Sequence, residues 1–83
     1  MKRIREVRIE SGYYLFKLEH LISVKGISKN KLCRDTNTDF NTVQRICTGN
    51  LAKLDLSVLA RICDYLECDL NDIVEYKRSI SIT

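Results

Sequence analysis

The 83-residue sequence contains no proline, no tryptophan and a single histidine, His20. It has no apolar run approaching the roughly 18 residues that a membrane-spanning helix needs. Its basic N-terminus lacks the apolar stretch and cleavage site of a secretory signal. We therefore expect a cytoplasmic protein that makes no membrane contact. The length predicts one small domain with a modest core.

The sequence also lacks the spacings that mark metal centres and enzyme active sites. None of its four cysteines is spaced Cys-x2-Cys, and His20 is remote from them. Zinc sites need clustered ligands, so we predict no metal and no cofactor. There is no phosphate-binding loop, no paired carboxylate motif and no supported cysteine–histidine pair, so we expect no enzyme. Cys33, Cys47 and Cys63 stand beside apolar residues, so small buried thiols are the default explanation for them.

The net charge of +3 conceals a strong segregation along the chain. Residues 25–53 contain six basic and two acidic side chains, whereas residues 54–75 contain six acidic side chains and one basic one, Arg61. A polyanion would therefore be attracted to one part of the molecule and repelled by another. Charge scattered for solubility would explain the total but not this segregation.

Residues 28–47 carry the most specific pattern, that of two short helices joined by a tight turn. Ser28 is a good N-cap, and Ile27 and Leu32 flank it as a hydrophobic staple. The first helix is predicted to end near Thr36. Asn37 tolerates left-handed backbone geometry and therefore suits the turn.

The second helix is predicted to be amphipathic. Thr38 can cap it, and Asp39 places a negative charge at its positive end. Val43 and Ile46 form an inward stripe. The outward side carries Phe40, Asn41, Gln44, Arg45 and Thr48.

This outward side suits the major groove of DNA. Asparagine and glutamine can bond an adenine edge, arginine a guanine edge, and an aromatic ring can contact a thymine methyl. We therefore predict that residues 39–48 form a recognition helix. An ordinary solvated polar face is the alternative. The following loop, residues 48–55, carries Asn50 and Lys53, which are placed to hold phosphates or simply belong to a polar loop.

The segments before this unit are less specific. Residues 2–10 suit a short strand, and one helical turn, a basic arm reaching DNA and a frayed terminus remain alternatives. Residues 13–24 are predicted to be helical and to end at Gly26. Their apolar stripe consists of Tyr14, Leu15, Leu18, Leu21 and Ile22.

Two further helices and a tail are expected after the loop. Asp55 caps a helix and Asp69 caps a last short one, with Asp72 at its third position. The tail, residues 76–83, alternates β-branched residues and favours a strand. It is hypothesised to pair with the N-terminal strand, within one chain or across a dimer. The inward face of the Asp55 helix is predicted to be Leu56, Leu59, Ala60, Cys63 and Leu66, with Ile62 close to it.

The two runs ISKNKLCRDTNTDFNTVQRICTGN and LDLSVLARICDYLECDLNDIVEY together resemble the Cro/Xre-type, phage-repressor-like helix-turn-helix proteins, and in particular the small bacterial regulators among them. The resemblance covers about residues 13–75. It implies an all-α fold, a compact five-helix lambda-repressor-like domain in which the second and third helices bind DNA. Residues 12–75 would form this domain, between an arm at 1–11 and a tail at 76–83, each allowing a short strand.

The resemblance implies roles for the polar residues of the helix pair. Base-reading positions match Phe40, Asn41, Gln44 and Arg45. The sequence departs from the family at three positions, with Cys33, Thr36 and Asn37 standing where alanine, an apolar residue and glycine are usual. The side chains expected to contact the DNA backbone are Lys29, Lys31, Thr42, Thr48, Asn50 and Lys53.

The function expected from these observations is sequence-specific transcriptional regulation, with repression as the expected mode. One helix-turn-helix reads only a few base pairs, so a homodimer on a near-palindromic duplex operator is expected, with the third helix in the major groove. The alternative is a protein-interaction module, such as an antitoxin or anti-repressor. It would use the acidic helices and terminal strands to hold a partner protein.

Overall fold

The computed structural model describes residues 4–78 and shows a mixed α/β domain rather than an all-α one. The strands form one antiparallel sheet in the order β1-β2-β3. The predicted five-helix all-α fold was therefore wrong. In chain order, the elements are β1 (Arg5–Ile9), β2 (Gly12–Phe16), α1 (Leu18–Lys25), α2 (Lys29–Thr36), α3 (Phe40–Thr48), α4 (Leu56–Leu66), a turn of 3-10 helix (Leu70–Asp72) and β3 (Val74–Arg78).

The main error concerns the helix predicted over residues 13–24, because its first part is strand β2. Aromatic residues favour strands, and the Gly-Tyr-Tyr-Leu-Phe segment finds a partner on each side. Tyr14 pairs with Val7 on β1 and with Tyr76 on β3, and the two tyrosine ring centroids lie 4.9 Å apart. Only the second part of the predicted stripe, including buried Leu18 and Ile22, lies on a helix.

Strands do form near both ends of the described chain, but they do not pair with each other. The prediction of a strand within residues 2–10 is confirmed by β1. β2 lies between β1 and β3, so pairing of the two terminal strands within the chain was wrong. Of the predicted tail strand, residues 76–78 belong to β3 and residues 79–83 lie outside the described residues. Pairing across a dimer stays a prediction.

The core lies where the four helices meet. Leu18 and Ile22 of α1 pack with Leu32 of α2 and with Val43 and Ile46 of α3. All five side chains are at least 97% buried, so little solvent-accessible apolar surface remains between these helices. This packing fixes α3 by its inward side and leaves its other side outside the core.

Helix α4 closes the core with a face that differs in part from the predicted one. Its buried residues are Val58, Leu59, Ile62 and Leu66. Leu56, predicted to point inward, is 78% exposed, and Ala60 is exposed as well. Asp55 is confirmed as the N-cap, since its carboxylate accepts from the backbone N–H groups of the first turn, at 2.8 and 3.3 Å.

The sheet is joined to the helices at the start of α1. The Lys17 backbone N–H donates to the carbonyl of Ile73 at 2.7 Å, and the Lys17 ammonium lies 2.9 Å from the Glu75 carboxylate. That ammonium group lowers the pKa of Glu75. Asp69 is confirmed as the N-cap of the last short helix, and its backbone N–H donates to the carboxylate of Asp72 at 3.0 Å. Over residues 4–78, no helix combines the length and apolar character needed to cross a bilayer.

Candidate nucleic-acid interface

Helices α2 and α3 form the predicted helix-turn-helix. The Ser28 hydroxyl accepts from the backbone N–H of Lys31 at 3.0 Å, which confirms Ser28 as the N-cap of α2. Asn37 ends α2 with φ 53° and ψ 48°, the left-handed geometry expected of it. The turn therefore forms without the glycine that is usual at this position in the family it resembles.

The N-cap of α3 is Asp39, and the predicted capping role of Thr38 was wrong. The Asp39 carboxylate accepts from the backbone N–H and the hydroxyl of Thr42, each at 3.1 Å. Thr38 is buried instead, and its hydroxyl donates to the Thr36 carbonyl at 3.2 Å. The Thr36 hydroxyl donates to the Leu32 carbonyl at 2.6 Å, so a polar residue is buried there without an unsatisfied group.

The outward side of α3 presents several predicted base-reading residues to solvent. Asn41 and Arg45 are exposed, and Phe40 is 45% exposed although it is a large apolar side chain. Among the described residues, neither the Asn41 amide nor the Arg45 guanidinium has a side-chain hydrogen bond or ion pair. Their hydrogen-bonding groups are therefore available to a ligand, while Val43 on the other side is fully buried.

Gln44, the fourth predicted base-reading residue, is half-buried and contacts a predicted backbone-binding residue. The Lys29 ammonium donates to Gln44 Oε1 at 2.8 Å. The same ammonium lies 3.6 Å from Glu19 Oε1 on α1. A polar chain therefore joins α1, α2 and α3 at this face.

Arg45 and Lys53 line one small cavity of about 100 Å³ between α3 and the loop that follows it. Thr42 also lines this cavity, so one predicted base-reading residue and two predicted backbone-binding residues lie around it. Asp55 contributes the acidic part of the lining. Asn50 is exposed in the same loop, and its backbone N–H donates to the Arg45 carbonyl at 3.1 Å.

Two other predicted backbone-binding residues have partners within the protein. The Lys31 ammonium lies 2.9 Å from the Asp35 carboxylate, which raises the pKa of Lys31. The Thr48 hydroxyl donates to the Gln44 carbonyl at 3.0 Å within α3. Contact of either side chain with a phosphate would therefore add to or replace an existing interaction.

The comparison with protein families agrees with this geometry. A family model described as the Cro/C1-type helix-turn-helix DNA-binding domain matches residues 17–79. The chain belongs to this family. As a member of it, the chain carries a DNA-binding domain of the kind found in transcription regulators, and α2 and α3 lie inside the matched range.

One solved structure extends the comparison to the sheet of this Cro/C1-type domain. The crystal structure of the transcriptional regulator VanUg is similar over 95% of this chain and 93% of that one. The two share 25% sequence identity, with a TM-score of 0.63. A search of curated proteins gives no match. Both positive comparisons support a DNA-binding regulator.

Two side chains that hold the helix-turn-helix were not predicted from the sequence, and both lie on α4. Arg61 Nε donates to the Thr36 carbonyl at 2.9 Å, at the end of α2. The Tyr65 hydroxyl donates to the Asp35 carboxylate at 2.5 Å; this bond, and then Lys31, lowers the pKa of Asp35. In the sequence, Arg61 stands out only as the single basic residue between Leu54 and Glu75. For Tyr65 the sequence offers no signal.

The cysteines of the Cro/C1-type domain are unmodified thiols in the structure. Burial raises the pKa of Cys47 to about 11, and burial raises the pKa of Cys68 to about 11 as well. Both side chains are therefore protonated, weak nucleophiles near neutral pH. In the part of the chain that the structure describes, no three cysteine, histidine or acidic side chains group in a way that could hold a metal ion.

Proposed function

We propose that this protein is a sequence-specific transcriptional regulator that reads duplex DNA with α3 in the major groove. The observation that supports it best is the contrast between the two sides of α3. Val43 and Ile46 anchor the helix in the core, whereas Asn41 and Arg45 are exposed and unpaired within residues 4–78. A helix held in this way presents its polar side chains to a groove of the right width.

The chemistry of the exposed residues suggests a role for each. Arg45 suits bidentate bonding to guanine O6 and N7, and Asn41 suits an adenine edge. Phe40 is placed to pack on a thymine methyl group. Gln44 completes the base-reading set. The proposed backbone contacts, which set register rather than sequence, are Lys29, Lys31, Thr42, Thr48, Asn50 and Lys53.

A dimer on a near-palindrome is the arrangement that makes this reading useful. A single α3 spans only a few base pairs, and two-fold dimers commonly place two such helices about 10 base pairs apart on one side of the duplex. Repression then follows if the occupied site overlaps a promoter. Repression and dimerisation are therefore parts of the same proposal.

Selection of random duplex DNA by the purified protein tests the proposal. We expect enrichment of a near-palindrome with half-sites about one helical turn apart. Sedimentation of the complex should give the mass of two chains on one duplex. Failure to enrich any motif would contradict sequence-specific regulation and favour the alternative, a protein-interaction module such as an antitoxin or anti-repressor.

Lys53→Ala should weaken binding to all DNA sequences alike and reduce its salt dependence. If a dimer neutralises about six phosphates, the slope of log affinity against log salt is about −5. Loss of one lysine contact per chain should bring the slope closer to zero by about 2 per dimer. Affinities measured by fluorescence anisotropy at several salt concentrations give the slope directly.

Lys77→Ala is the matched control for this experiment. It removes the same charge, but Lys77 lies on β3, outside the helix-turn-helix, and pairs with Glu75 at 3.5 Å. For Lys77→Ala, the slope of log affinity against log salt should stay close to that of the unmodified protein. Equal slopes for the two variants would show that Lys53 does not contact phosphate.

A further inference from the structure

The contact between Lys29 and Gln44 fixes which atoms of the glutamine face outward. An ammonium group can only donate hydrogen bonds, so the Gln44 atom at 2.8 Å from Lys29 Nζ must be the carbonyl oxygen. The amide nitrogen, with its two N–H donors, is then the end of the carboxamide directed away from Lys29. Gln44 is thereby oriented before any ligand arrives.

Lys29 is itself held in this position by the surrounding helices. Its side chain is only 25% exposed, and Glu19 of α1 lies 3.6 Å from the ammonium group with a side chain that is 29% exposed. Lys29 therefore has a partner on α1 and another on α3. A lysine that only contacted a DNA phosphate would not need partners on both α1 and α3.

The orientation changes which base Gln44 can pair with. Adenine presents one acceptor and one donor in the major groove, and a free glutamine matches both with its oxygen and nitrogen. Guanine presents two acceptors, N7 and O6, and needs two donors. The bond from Lys29 occupies one of the two lone pairs of the Gln44 oxygen and sets an ammonium group beside it. The pair therefore offers donors from the amide N–H groups and from the remaining ammonium hydrogens, and this excess of donors favours the two acceptors of guanine.

We infer that Lys29 is a specificity-determining positioning residue, which makes Gln44 select guanine where an unassisted glutamine would select adenine. This inference rests on the proposed function, because it assumes that Gln44 faces a base edge. It goes beyond that function by naming the base and the residue that decides it. Lys29 acts through Gln44, in addition to any phosphate that it contacts.

The test is binding-site selection with the full chain and a set of variants. Besides any guanine read by Arg45, the unmodified protein should enrich guanine at a second position of each half-site, and Gln44→Ala should lose preference at that second position, which identifies it. Lys29→Met keeps the aliphatic stem and removes the donor. It should shift the guanine-to-adenine ratio at that position by about tenfold or more towards adenine, since a bidentate pair discriminates by that order.

Two further variants distinguish positioning from a general loss of charge or fold. Lys29→Arg restores a donor to Gln44 and should restore the preference for guanine. Lys31→Met removes another first-turn lysine of α2 and should weaken binding while leaving all base preferences unchanged. Circular dichroism of each variant checks that the helices are retained.

The outcomes separate this inference from the proposed function. If the unmodified protein enriches no motif, the proposed function fails and the inference fails with it. If a motif is enriched but Lys29→Met alters affinity without altering base preference, or if the Gln44 position prefers adenine in the unmodified protein, regulation stands and the inference is overturned.

Discussion

Gly49→Ala is expected to lower the free energy of unfolding by about 3 kcal/mol, because two costs add at this residue. Gly49 ends α3 with φ +75°, where a side chain strains the backbone by roughly 1–2 kcal/mol. A Cβ there would also lie 2.7 Å from Val7 Cγ2 and 2.8 Å from Phe16 Cδ2. Overpacking of this kind costs about 1–3 kcal/mol, because the sheet and α3 must move apart.

Gly26→Ala is the matched control for Gly49→Ala. Gly26 ends α1 with φ +71°, almost the same geometry, but no atom lies within 4 Å of the position that its Cβ would occupy. Only the backbone strain applies, offset in part by the lower entropy of the unfolded chain, so we expect a loss of about 1 kcal/mol. Urea unfolding followed by circular dichroism measures both. Equal losses of unfolding free energy in the two variants would show that the sheet does not crowd a side chain at residue 49.

The parts of the fold that were predicted correctly are those that local chemistry dictates. Ser28, Asp55 and Asp69 are helix caps whose partners lie within three residues along the chain. Asn37 forms the left-handed turn through its own backbone preference. The helix-turn-helix could therefore be located from the sequence without knowledge of the rest of the molecule.

The sheet could not be predicted in the same way, because its strands depend on partners distant in sequence. Tyr14 and Leu15 fit a helical stripe with Leu18 as well as they fit a strand. What decides the conformation is the pairing of Tyr14 with Val7 on one side and Tyr76 on the other. Tertiary contacts here override local spacing.

A similar limit applies to the candidate interface. The identity of the outward residues of α3 follows from helical periodicity around Val43 and Ile46. The contacts between helices do not, because the Lys29–Gln44 bond and the Arg61 bond to the end of α2 depend on how the helices cross. The sequence therefore indicates which side chains face outward, and the structure adds which of them are already oriented.

Arg45→Ala is expected to weaken binding to the selected operator by about 1–3 kcal/mol, a roughly 5- to 150-fold increase in Kd. Within residues 4–78 the Arg45 side chain is exposed and has no hydrogen bond or ion pair, so none is lost with it. If Arg45 reads a guanine as proposed, its removal deprives that guanine of a bidentate donor, and preference at one operator position should fall as well. Fluorescence anisotropy at fixed salt measures the change.

Substitution of the operator separates base reading by Arg45 from general attraction. Replacing the guanine read by Arg45 should weaken the unmodified protein but have little further effect on Arg45→Ala, because the interaction has already been removed. Arg34→Ala, at an α2 side chain that is 72% exposed, removes the same charge and should change affinity much less. If Arg45→Ala instead lowers affinity equally for operator and scrambled duplex, Arg45 contacts phosphate, and the base-reading surface of α3 must lie elsewhere along the helix.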